Sequence, residues 1–95
     1  MIDDNVRVLI VDDEPEARDL LTMLLEPVKG VRIVAYAENV DEALTQVEES
    51  DPDLILLDIQ MPRKNGFDLV EALRQSDSHM GYIFITAYNE YAIRA

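Results

Sequence analysis

Three acidic residues and one hydroxyl stand where short apolar runs stop. Asp12 and Asp13 follow Val6-Arg7-Val8-Leu9-Ile10-Val11, Asp58 follows Leu54-Ile55-Leu56-Leu57, and Thr86 follows Tyr82-Ile83-Phe84-Ile85. An acidic pair after a strand is ordinarily a solvated loop or helix cap. Here the acidic pair, Asp58 and Thr86 each close a different apolar run, a combination that chance seldom produces. Gathered together, the carboxylates would repel one another and raise one another's proton affinity unless a cation joined them. A few carboxylate oxygens, completed by water and a phosphate, are the ligands that Mg2+ prefers. A carboxylate in such a site could also attack an anionic phosphoryl donor, since a cation neutralises charge on the transferring oxygens.

Those residues must be positioned by the elements around them. A further apolar run, Val31-Arg32-Ile33-Val34-Ala35-Tyr36, makes four in all. Near-continuous apolar runs suit strands covered on both faces, as in a parallel sheet. Between the runs lie segments of helical period. Ala17, Leu20, Leu21, Leu24 and Val28 form one apolar stripe, with Pro15 in the first turn and Pro27 and Gly30 closing the segment. Val40, Ala43, Leu44 and Val47 form a second, with Asn39 and Glu42 at capping-box spacing. Gly66, Leu69, Val70 and Leu73 form a third, with Asn65 as N-cap. A fourth helix is expected from near Asn89, including Tyr91, Ala92 and Ala95. The order βαβαβαβα predicts an α/β domain with right-handed crossovers and a doubly wound parallel sheet. In such sheets ligands bind outside the carboxyl ends of the strands, where the winding reverses. If the first and third strands are neighbours, Asp12, Asp13 and Asp58 meet there.

Composition narrows the function. The chain has 95 residues, 48% of them apolar and 29% charged, and reads as one small globular domain, 1–95. Twenty acidic residues against eight basic give a net charge of −12. That charge repels nucleic-acid phosphate and anionic membranes, so no direct nucleic-acid or membrane partner is expected. No cysteine is present, which removes disulfides, thiolate metal sites and cysteine nucleophiles. The acidic N-terminus is no secretory signal, and a cytoplasmic location is the default. His79, in the polar stretch Asp77-Ser78-His79-Met80-Gly81, reads as a solvated loop residue. No glycine-rich phosphate loop or serine–histidine–acid pattern supports nucleotide hydrolysis or acyl transfer.

The motifs resemble those of response-regulator receiver domains of two-component systems. Val8-Leu9-Ile10-Val11-Asp12-Asp13-Glu14-Pro15 is similar to the receiver's opening. Asp53-Leu54-Ile55-Leu56-Leu57-Asp58-Ile59-Gln60-Met61-Pro62, then Asn65-Gly66, resembles its phosphoacceptor strand and loop. Phe84-Ile85-Thr86-Ala87 resembles the strand that carries the switch hydroxyl, and the segment Thr86 to Ala95 resembles receivers that precede LytTR-type DNA-binding domains.

The resemblance implies a flavodoxin-like fold and a role for each matching position. Asp58 would accept a phosphoryl group from a histidine kinase or a small donor such as acetyl phosphate. Asp13 and Asp58 would hold Mg2+ directly, Asp12 mostly through water, and the Gln60 carbonyl would add a ligand. Thr86 would hydrogen-bond the arriving phosphoryl oxygens, with the Ala87 N–H beside the same anion. Such a module is not a turnover enzyme. Its output would be transcriptional, through a DNA-binding domain outside this chain.

A full receiver adds a fifth strand, a lysine at that strand's end and a fifth helix, which these 95 residues do not contain. The expected sheet is therefore incomplete, with four strands and about four helices. The apolar run Tyr82-Ile83-Phe84-Ile85 would then form an unguarded edge. Pairing of that edge, or of the fourth helix, with another copy predicts a homo-oligomer, by direct association or domain swapping. An alternative reading follows: a receiver that self-associates without accepting phosphate. A third class, an Mg2+-dependent phosphohydrolase, normally needs a second acid two residues after the nucleophile. Gln60 occupies that place.

Overall fold

The computed structural model describes residues 5–59, 65–75 and 80–85. Along these the chain runs β1 (Val6–Val11), α1 (Pro15–Leu25), β2 (Val31–Ala37), α2 (Val40–Ser50), β3 (Leu54–Leu57), α3 (Gly66–Gln75) and β4 (Gly81–Phe84). All strand pairs are parallel, in the order β2-β1-β3-β4. Among the described residues the fold is a four-stranded parallel sheet of flavodoxin-like order. The anticipated fourth helix lies outside the described residues.

Strand side chains alternate between faces, and the two faces bury different sets. Leu9, Val11, Ile55 and Leu57 meet Val40 and Ala43 of α2 and Leu69 and Leu73 of α3. Val8, Ile10 and Leu56 meet Leu21 and Leu25 of α1. Central strands that read as unbroken apolar runs are thus covered on both sides. Each fully buried Leu or Ile contributes about 1.5–3 kcal/mol by leaving water, and Leu9, Ile10 and Ile55 are fully buried. The β1–β2 register slips between Val8 and Leu9: Val8 faces Ile33, but Leu9 faces Ala35.

The predicted caps form. Asn39 Oδ1 accepts from the Glu42 amide at 2.8 Å, and Glu42 Oε1 accepts in turn from the Glu38 amide at 2.9 Å. Asn65 and Asp68 bond reciprocally at the start of α3, at 2.8 and 3.1 Å. Pro15 occupies the first turn of α1, where its missing N–H costs nothing. At the other end of α2, Asp51 takes a left-handed conformation with φ of 49°. Arg7 holds that helix terminus. Its Nε donates to the Asp51 carbonyl at 3.2 Å and its Nη2 donates to the Ser50 carbonyl.

The α1 stripe is corrected by the structure. Ala17 and Leu21 lie partly buried on the inner side, but Leu20 and Leu24 are 55% and 60% exposed and Val28 lies beyond the helix end. Successive helical residues are about 100° apart, so Leu20 and Leu24 sit beside the sheet when Leu21 and Leu25 sit on it. No residue of α1 is fully buried.

Candidate functional site

The ladder bonds continue one residue beyond the strands and bring their carboxyl ends level. The Asp12 amide donates to the Ala37 carbonyl at 3.0 Å, which places Asp12 at the end of β1 beside β2. The Asp58 amide donates to the Val11 carbonyl at 3.1 Å, so the residue after β3 sits against the residue before Asp12. The Ile85 amide donates to the Leu57 carbonyl at 2.8 Å, which carries the β3–β4 ladder to the same level. The helices that follow β1 and β3 lie on opposite faces of the sheet, α1 on one and α3 on the other. The acids therefore stand at the reversal of winding.

Asp12, Asp13 and Asp58 each offer a carboxylate oxygen, and these oxygens lie within 4.8 Å of one another. Asp12 is the deepest, with 7% of its surface exposed, while Asp13 and Asp58 are half-buried. Burial pushes the Asp12 carboxyl above its ordinary proton affinity. The Glu14 amide, which donates to Asp12 Oδ1 at 3.0 Å, pulls in the other direction. The charges of Asp58, Asp13 and Glu14 push it up further. A buried carboxylate crowded by others, with oxygen as the only donor type, fits a hard divalent cation such as Mg2+.

Two features around the acids are set by tertiary approach. Gly66 packs where no side chain fits: a Cβ there would stand 2.6 Å from the Asp58 carbonyl oxygen and 3.1 Å from the Phe84 ring. The Gly66 amide donates to the Ile59 carbonyl at 2.8 Å, so the start of α3 is tied to the strand end. Arg18 reaches back from α1, and its Nη1 donates to the Asp12 carbonyl at 2.7 Å.

The structure thus unites three predicted site residues, Asp12, Asp13 and Asp58. Gln60, Thr86 and Ala87 lie outside the described residues, as does His79.

Comparisons with known proteins converge. The family model of the response regulator receiver domain matches residues 8–95. The sensory transduction protein LytT of Bacillus cereus is 42% identical over 90 residues, which are 95% of this chain and 37% of that protein. The transcriptional regulatory protein BtsR of Salmonella typhi is 46% identical over 91 residues, again 37% of its length. The chain therefore spans little more than a third of these relatives. Among solved structures, the signal receiver domain of NarL from Mycobacterium tuberculosis superposes with a TM-score of 0.85 at 31% identity. That match covers 95% of this chain and 73% of the other. The response regulator domain of Thermotoga maritima CheB gives 0.80 at 28% identity, over 87% of this chain and 61% of that one.

Proposed function

Because the chain belongs to the response regulator receiver domain family, we propose that it accepts a phosphoryl group on Asp58 and signals through the change that follows. The observation that carries this reading is the meeting of Asp12, Asp13 and Asp58 at the carboxyl ends of β1 and β3. A carboxylate oxygen of Asp58 attacks the donor phosphorus and forms the new O–P bond. The bond from phosphorus to the donor breaks, and the donor keeps its electron pair. For a histidine kinase that leaving atom is a ring nitrogen; for acetyl phosphate it is an oxygen. Asp13 and Asp58, with the Gln60 carbonyl, would hold Mg2+ directly and Asp12 mostly through water, and the ion would supply neutralisation of the phosphoryl charge. Thr86 and the Ala87 amide receive the phosphoryl oxygens.

The resulting module is a switch of transcription, a reading supported by the name of the transcriptional regulatory protein BtsR. Its output passes through a DNA-binding domain, since a chain of charge −12 has little attraction for nucleic acid. No helix among the described residues is long and apolar enough to cross a membrane, and we place the protein in the cytoplasm.

Self-association is part of the same proposal. β4 is the outer strand among the described residues, and its Tyr82, Ile83 and neighbouring Ile85 are exposed. An apolar outer strand offers both side chains and unpaired backbone to a second copy.

The test is incubation with acetyl phosphate and Mg2+, read by intact mass beside Asp58→Asn. One phosphoryl adduct that needs both Mg2+ and Asp58 supports the reading. A folded protein that binds Mg2+ and forms no adduct would favour the self-association module instead.

A further inference from the structure

Asp12 is fixed through its amide, its carbonyl and one oxygen of its side chain. Its amide donates to Ala37 in β2, its Oδ1 accepts from Glu14, and its carbonyl accepts from Arg18. The first two bonds follow from strand pairing and from the tight turn after it. The third joins the turn to a helix that otherwise holds it weakly: Glu14, the N-cap of α1, makes no side-chain cap bond, and α1 buries no residue fully.

The Asp12 carbonyl and the Asp13 amide belong to one rigid peptide plane. Holding the carbonyl at 2.7 Å therefore sets the direction in which Asp13 leaves β1. Arg18 is itself anchored. Its amide donates to the Glu14 carbonyl at 3.2 Å, and its own carbonyl accepts from Thr22 Oγ1 at 2.8 Å. Thr22 Oγ1 also lies 2.8 Å from the Tyr36 hydroxyl on β2. The guanidinium is thus carried by a helix pinned to the neighbouring strand. Its bond goes to a carbonyl and engages no carboxylate oxygen of Asp12.

We infer that Arg18 is a positioning residue for the divalent-cation site, acting through the Asp12–Asp13 peptide plane. This inference rests on the reading of Asp12, Asp13 and Asp58 as a metal site. Groups that orient ligands without touching the ion typically change affinity by about 10- to 100-fold. The two common hard cations should feel the loss unequally. Mg2+ demands near-ideal octahedral geometry, whereas Ca2+ accepts irregular arrangements. Weakened positioning therefore costs Mg2+ more than Ca2+. A change in charge alone acts on both ions alike, and so does partial unfolding.

The experiment titrates Mg2+ and Ca2+ into the 95-residue chain by calorimetry, comparing the unmodified protein with Arg18→Ala, Arg18→Lys and Asp58→Asn. Apo thermal midpoints are recorded for each. The expected result is an Mg2+ affinity lowered about tenfold in Arg18→Ala, a much smaller change for Ca2+, and partial recovery in Arg18→Lys, whose ammonium can still donate to the carbonyl. Equal losses for both ions, or no loss, would overturn the assignment. Absence of Mg2+ binding in the unmodified protein would overturn the metal-site reading and the Arg18 role with it. Loss in Asp58→Asn with unchanged binding in Arg18→Ala would retain the site and remove only Arg18.

Discussion

A β-carbon at Gly66 would stand 2.6 Å from the carbonyl oxygen of Asp58. The start of α3 and the end of β3 approach too closely there for any side chain. The nearest atom is a backbone oxygen, which cannot move aside as a flexible side chain could. Gly66→Ala is expected to cost about 1–3 kcal/mol of stability, the usual range for overpacking. It should also weaken Mg2+ binding, because relief of the clash shifts Asp58. Urea denaturation and calorimetric titration check the two effects together.

The Asp12 carboxyl holds its proton more tightly in the folded chain than in the unfolded one. As pH rises, the unfolded chain loses this proton first, so Asp12's contribution to stability falls through the interval up to its folded pKa. Above that interval the loss is complete. Asp12→Asn removes this penalty while an amide oxygen can still accept from Glu14. Its apo melting midpoint should exceed that of the unmodified protein by a few degrees at neutral pH and not in acid. The same substitution should weaken Mg2+ binding. Thermal melts at a series of pH values, with and without Mg2+, measure both.

Mg2+ itself should stabilise the folded chain increasingly as pH rises through the folded pKa of Asp12, since the ion requires the ionised carboxylate. The shift in melting midpoint at fixed Mg2+ is expected to be small in acid and to reach a plateau once Asp12 is ionised. A shift independent of pH would place the ion elsewhere.

Arg7 stands at the opposite end of β1 from the acids, where it donates to the carbonyls of Ser50 and Asp51 at the end of α2. Arg7→Ala leaves those carbonyls without their charged donor and should cost about 1–2 kcal/mol. Mg2+ affinity should stay unchanged. Denaturant midpoints and calorimetry together separate this structural clasp from residues that act on the site.

Ile83 is 50% exposed on the outer strand β4. If a second copy pairs there, Ile83→Lys should shift the protein toward monomer, because a lysine on a strand edge resists further pairing. Sedimentation over a range of concentrations reads the change. Identical association in both proteins would remove β4 from the interface.

Much of this could be read from the order of residue types. Near-continuous apolar runs of the β1 and β3 type, each ending in aspartate, indicated strands covered on both faces with acids at one end. The Asn39 and Asn65 caps followed from local spacing, because capping acts within one helical turn. Less legible were contacts set by tertiary approach. Gly66 is suited to a tight turn by its type alone, yet its nearness to Asp58 depends on how α3 meets β3. Arg18 has no local partner to betray it, since its acceptor is a backbone carbonyl six residues earlier. The apolar stripe of α1 runs wider in the sequence than in the core, because helical period reports an apolar face but not how much sheet lies beneath it.

Strand order also has a consequence for how the molecule assembles. β1 pairs with β3 across a long stretch of chain, Val8 with Leu54 and Val11 with Leu57, while α1, β2 and α2 lie between them in sequence. Asp58 consequently meets Asp12 only when β3 docks, and the repulsion between the carboxylates falls on that encounter. Non-local pairing of this kind is the slow part of folding. Where β1–β3 pairing is already present at the transition state, neutralising Asp12 accelerates refolding; where it forms afterwards, the same change slows unfolding instead. The acid crevice thereby carries its own clock, and a chevron for Asp12→Asn would show on which limb it runs.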